Sequence, residues 1–193
     1  MSESVRIGLL GCGNGGAAFV KLVNERAATI AQRTGISLSI TNQSAQPAPV
    51  GLGWHPYFVK RADSHVQFAA TGRWEMGEDK LPTRRRAATG LDTDCQGLRI
   101  DNCFDGWDGQ AHLTDTLLHT RIEANLQHLV VYTHADLDMV AIEPVSHVNN
   151  ALHLSGQGQA APVGVDQADP LGLRVALPGE TYGVQMTISA RHA

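Results

Sequence analysis

The chain has 193 residues, 42% of them hydrophobic and 18% charged, with a formal net charge of −4. This is the composition of a globular protein able to bury the core of one domain. The acidic balance excludes a general nucleic-acid binder, and no run reaches the roughly 18 apolar residues of a membrane span. Met1-Ser-Glu-Ser-Val-Arg6 lacks the basic region and apolar core of a secretory leader. Cys12, Cys95 and Cys103 show no CxxC spacing, so reduced thiols in a cytoplasmic protein are expected.

In chain order, Val5-Arg-Ile-Gly-Leu-Leu10 reads as a short buried strand, and Gly11-Cys-Gly13-Asn-Gly-Gly16 follows at once. Val20, Val23, Ala27 and Ile30 then fall on one helical face, and Gly35 supplies a stop. Residues 1–36 are therefore expected to form one strand–glycine turn–helix unit. From Ile36 onward the pattern changes to period two. Ser37–Thr41 alternates; Leu118, Ile122 and Ala124 share one face; Tyr182, Val184, Met186 and Ile188 share another. Turn-forming groups separate these runs, at Asn42-Gln-Ser44, Ala62-Asp-Ser64, Asp105–Gly109 and Pro178-Gly179. Arg84-Arg-Arg86 reads as a solvated loop, and Ser155–Asp169, rich in Gly, Gln, Ala and Pro, as a long connection. The expected fold class is mainly β: an antiparallel sandwich over residues 37–193 with no further helix, preceded by the one βα unit.

Gly11-x-Gly13-x-x-Gly16, set between a strand and a helix, is the context in which glycines let a pyrophosphate approach a helix N-terminus. The stretch Val5–Gly35 resembles the N-terminus of homoserine dehydrogenase, departing from it at Gly15. No acidic residue follows where a ribose hydroxyl would be held, and no further βα units follow. Gly11, Gly13 and Gly16 are thus dinucleotide contacts only in a subordinate reading, an NAD(P)-dependent oxidoreductase. The main expectation is no cofactor and no metal.

The densest stretch is Val50-Gly-Leu-Gly-Trp-His-Pro-Tyr-Phe58, three aromatics and one imidazole between glycines and prolines. Flat rings suit the faces of a sugar, and an imidazole exchanges protons near neutrality. From about Leu38 to Arg191 the chain resembles the C-terminal half of an aldose 1-epimerase of the galactose mutarotase-like kind. The landmarks come in order: Thr41-Asn-Gln-Ser44 with Pro47 and Pro49, Gly51–Phe58, Leu81-Pro-Thr83, Ile100–Trp107, Leu129–Thr133, Ala141–His147 with Asn150-Ala151, and Leu177–Thr181. The resemblance implies a partial mutarotase-like supersandwich that interconverts the α and β anomers of a hexose such as glucose or galactose. It implies His55 as acid, Glu143 as base and Asp101 as the carboxylate gripping sugar hydroxyls. Trp54, Phe58 and Trp107 are candidate ring faces for the sugar, and His147 is a candidate support.

Each also has a plain structural reading: His55 as a turn residue, Glu143 as the end of an edge strand before Pro144, Asp101 as a turn carboxylate, and the tryptophans as core. The family's N-terminal half carries a further arginine and histidine that have no counterpart here. Its absence implies a weaker grip on sugar and open sheet edges through which copies of the chain associate. A carbohydrate-binding module without turnover is the alternative reading.

Overall fold

The computed structural model describes residues 34–156 and 171–193. The strand, glycine turn and helix expected over residues 5–30, with Gly11, Gly13 and Gly16, lie outside the described residues, as does most of the connection expected at 155–169.

The strands are β1 Thr34–Thr41, β2 Ala48–Val50, β3 Tyr57–Val59, β4 His65–Phe68, β5 Gly72–Met76, β6 Pro82–Ala87, β7 Leu91–Asp94, β8 Ile100–Asp105, β9 Gln110–Thr114, β10 Leu118–Ala124, β11 His128–Thr133, β12 Met139–Val145, β13 Arg174–Ala176 and β14 Thr181–His192. Among the described residues one helix, α1, spans Ala151–Gly156. The first sheet has the order β1-β14-β10-β9-β4-β7, the second β3-β12-β11-β8-β5-β6, and β13-β2 form a small ribbon. All the pairings are antiparallel, which agrees with the expected sandwich.

Alternation decides which side of each strand is buried. Val66 and Phe68 of β4, Ala111 and Leu113 of β9, Ile122 of β10, and Val184 and Met186 of β14 face Ile100 and Phe104 of β8, Leu129 and Val131 of β11, and Val140 and Ile142 of β12. Phe68 meets Phe104 edge-on across the two sheets, with centroids 4.9 Å apart. Each such side chain larger than alanine contributes about 1.5–3 kcal/mol through burial, so this layer carries most of the hydrophobic stabilisation.

The outer face of the second sheet is divided. Trp74, Cys103 and Val130 form an apolar patch covered by Val148, Ala151 and Leu154 of the α1 region and by Leu171. Beside that patch, among the described residues, the same face stays open and polar. Helix α1 corrects the expectation of no helix after residue 36. Ala151 and Leu154, three residues apart, bury one face of a single-turn element, too short for periodicity to reveal it. Gly35, read as a helix stop, pairs with Thr187 inside β1, which crosses the expected boundary between residues 36 and 37.

Arg84–Arg86 form the centre of β6, an edge strand and not a loop. Arg84 and Arg86 pair with Glu75 on one side, while Arg85 reaches the other face and grips buried Asp105 with two nitrogens. Alternation therefore splits three identical side chains between two environments. At the β7 edge of the first sheet, His65 of β4 lies between Asp94 and Asp92 of β7, 2.9 and 2.7 Å from its two nitrogens. These carboxylates hold the imidazole above its ordinary pKa.

Asn42 joins β1 to the small ribbon. Its amide donates to the Gln46 and Ala176 carbonyls, both at 2.8 Å, and its oxygen accepts from the Ser44 amide and hydroxyl. This gives the Thr41-Asn-Gln-Ser44 landmark a structural role. Truncation leaves the buried Ala176 carbonyl without this donor, so Asn42→Ala is expected to lower stability by about 1–3 kcal/mol in urea unfolding. A loss under ~0.5 kcal/mol would contradict this account.

Candidate active site

The open half of the outer face is built on β12. Val140 and Ile142 point into the core, so Ala141 and Glu143 point out. Glu143 lies opposite Val130, which lies opposite Cys103, at the border of the capped patch. One row away, Asp101, Tyr132, Ala141 and Tyr57 stand opposite one another across β8, β11, β12 and β3.

The loop Gly51–Pro56 brings His55 to this row. It is fastened to the end of β12 by backbone hydrogen bonds from Ser146 N to Leu52 O (2.8 Å) and from Trp54 N to Pro144 O (3.0 Å), with a bridge between Gly53 and Val145. The Ser146 hydroxyl also accepts from Leu52 N at 2.9 Å. A Cβ on Gly53 would lie 2.8 Å from Val145 Cγ1 and 3.1 Å from Pro144 O, so glycine permits this approach. His147 supports the loop from behind: its ring occupies the space that a Gly51 side chain would need, and its Nδ1 lies 3.0 Å from the Ser146 hydroxyl.

Fastened in this way, His55 Nδ1 is 3.2 Å from Glu143 Oε1. The Tyr57 ring stacks beneath the imidazole with centroids 4.6 Å apart, and its hydroxyl is 3.3 Å from His55 Nε2. His55 is half exposed, whereas Glu143 is 8% exposed. Burial, and secondarily the negative charge of Asp101, push the Glu143 carboxyl up to about 8. Burial also lowers His55 below its ordinary value. At neutral pH the pair therefore holds one proton. On Glu143 the proton donates to Nδ1, leaving Nε2–H to donate to the Tyr57 oxygen.

His55, Glu143 and Asp101, expected as one site, thus share one face. The aromatic candidates do not. Phe58 lies opposite Val140 and packs on the core, because one residue along β3 reverses the face from Tyr57. Trp107 is 2% exposed within the core, its indole nitrogen donating to Gln110 O. Trp54 packs against the same core, and its buried indole nitrogen has no partner among the described residues. None of the three offers a ring to the face that holds His55. The available aromatic surfaces are Tyr57 and Tyr132, which sequence reasoning passed over. The signal was present for Tyr57, two residues from His55 and so on the same side of an extended chain.

Two clefts elsewhere, one lined by Lys60, Arg61 and Asp136–Asp138 and the other by Gln67, Asp92, Asp108 and His112, include none of these residues. Among the described residues the chemistry sits on an open face. No group of three or more His, Cys, Asp or Glu side chains among the described residues is arranged to hold a metal.

The sequence profile of the aldose 1-epimerase family matches residues 28–189. The chain belongs to the aldose 1-epimerase family. A protein of Escherichia coli K12, YphB, itself described as uncharacterised, is 29% identical over 159 residues, covering 72% of this chain and 55% of that protein. A solved E. coli K12 structure, provisionally named an aldose 1-epimerase, superposes with a TM-score of 0.69 at 22% identity, over 83% of this chain and 57% of that one. A galactose mutarotase-like protein from Clostridium acetobutylicum gives a TM-score of 0.64 at 18% identity, over 82% and 52%. The chain spans about half the length of the relatives it matches. These likenesses carry the fold. The expected resemblance of residues 5–35 to homoserine dehydrogenase finds no support: the epimerase match begins at residue 28, inside that stretch.

The raised Glu143 carboxyl makes a signed prediction for stability. It keeps its proton to about pH 8 when folded, against an ordinary value of 4.5 when exposed. Folding therefore takes up a proton between these values, and stability falls as pH rises through that window, by up to about 1.4 kcal/mol per unit. Glu143→Gln cannot ionise. Its stability relative to the parent is expected to improve steadily from pH 5 to pH 8 in denaturant titrations, and parallel curves would count against a buried, protonated Glu143.

Proposed function

We propose that the face bearing His55, Glu143 and Asp101 is an aldose 1-epimerase site that interconverts the α and β anomers of a hexose such as glucose or galactose. The observation that carries the reading is the 3.2 Å contact between the His55 imidazole and the buried Glu143 carboxyl, on the face that also bears Asp101. Ring opening needs a base for the C1 hydroxyl and an acid for the ring oxygen. With the pair's proton on His55, Glu143 is the base and His55 the acid. The O1–H bond breaks, C1=O forms, the C1–O5 bond breaks and O5 takes the imidazolium proton. Glu143 is then protonated and His55 neutral, which is the form needed to close the ring on the other face after rotation about C1–C2. Opening and closing therefore use the two positions of a single proton, with no net loss. Asp101 is assigned to the sugar hydroxyls, and Tyr57 to holding the imidazole plane.

In this reading the protein works as a cytoplasmic enzyme of sugar metabolism. A second reading has a specific observation behind it: His55 is half exposed and neither cleft includes it, as suits a sugar-binding module without turnover.

Polarimetry on freshly dissolved α-D-galactose and α-D-glucose tests the first reading. Catalysed decay is expected, with Glu143→Gln and His55→Asn each reducing the rate at least ~100-fold. Decay at the buffer rate, from soluble folded protein, rules out turnover. Sugar binding by titration calorimetry would then favour the module. The rate is also expected to fall as pH rises above about 8, where the pair loses its proton, and to fall in acid, where it gains a second.

A further inference from the structure

The four terminal strands of the two large sheets are protected unequally. Edge β6 carries Arg84, Arg85 and Arg86; edge β7 carries Asp92 and Asp94; edge β3 is three residues long and runs into Lys60 and Arg61. Charge and brevity are the usual means by which an edge is kept from pairing with another chain. Edge β1 has neither. It is eight residues long, uncharged and free of proline, and among the described residues its only strand partner is β14.

Its sequence also says what fits it. Ile36-Ser37-Leu38-Ser39-Ile40 reads the same in both directions about Leu38. A second copy turned by a two-fold axis at Leu38 and running antiparallel sets Leu38 against Leu38, Ile36 against Ile40 and Ser37 against Ser39. The apolar residues of both copies then lie on the core side, where Ile36 and Leu38 already pack on the main cluster, and the exposed serines lie together on the outer side. Just past the strand, Asn42 binds the Ala176 carbonyl, which places exposed Val175 and Leu177 beside that end of the edge along with partly exposed Ile40. A charged partner would find no complement on this strand, whereas a copy of the same strand finds a match at every position of the palindrome.

We propose that two copies of this chain pair antiparallel through β1 about Leu38, giving a symmetric dimer with a continuous twelve-stranded sheet. The interface is one strand wide, so the dimer dissociates on dilution.

Sedimentation velocity over a concentration series is expected to show a mass rising from one chain toward two. Ser37→Lys with Ser39→Lys sets like charges opposite each other twice across the axis, on exposed positions that leave the core untouched. This variant is expected to weaken association about tenfold or more. Ser37→Lys with Ser39→Glu sets opposite charges at the same places and is expected to restore it. Circular dichroism and urea midpoints, equal for all three chains, separate these effects from unfolding. A parent chain that stays monomeric at every concentration, or a dimer indifferent to both charge patterns, overturns the proposal.

Discussion

The site depends on how one strand shares its hydrogen bonds. Along its first three residues β12 is paired by β3; beyond them the Gly51–Pro56 loop takes over, through Leu52, Gly53 and Trp54. Pro144 sits in this second stretch, where it contributes a carbonyl and has no amide to place. Because the loop is bonded to β12 itself, the register of His55 against Glu143 follows from backbone geometry. The two side chains need no long-range adjustment to meet. Gly53 and the Ser146 hydroxyl are what permit the clasp, and neither touches the reacting groups.

The electrostatics of the site come from the division of the outer face. Glu143 stands where the sheet passes from the capped apolar patch of Trp74, Cys103 and Val130 to the open row of Asp101, Tyr132 and Tyr57. One side deprives the carboxylate of water and the other adds a like charge, so both act in the same direction on its pKa. His55, at the rim, is lowered by burial alone. The cap that raises Glu143 also holds the Cys103 thiol far above its ordinary value, so that sulfur is inert rather than a competing nucleophile.

Period two made the sandwich legible. The faces read from Leu118, Ile122 and Ala124 and from Tyr182 to Ile188 are those the sheets use. Family landmarks carried the three polar residues to a common face, but composition alone misled on the aromatics. A ring near an imidazole suggests a sugar platform, but parity places Phe58 on the face opposite Tyr57, and Trp107 lies in a turn folded back on the core. Three successive arginines looked like a solvated run because the buried Asp105 that anchors Arg85 is 20 residues away, where no local pattern reveals it. Helix α1 was missed for the opposite reason: it is a local element too short to show a period. Tertiary contacts decide each of these cases.

The pairing of β1 with β14 joins residues 140 positions apart, as at Thr41 and Thr181. During synthesis, at about 5–20 residues per second, β1 waits roughly 7–30 s before its neighbour has been made. For that interval the uncharged Ile36, Leu38 and Ile40 have no sheet to join, and closing a loop of this length makes the late step slow. Of the first sheet's pairings, the β9–β10 hairpin is local and the β1–β14 pairing comes last. The nascent chain is most exposed to chaperones, and to misassociation on crowded polysomes, just before β14 emerges.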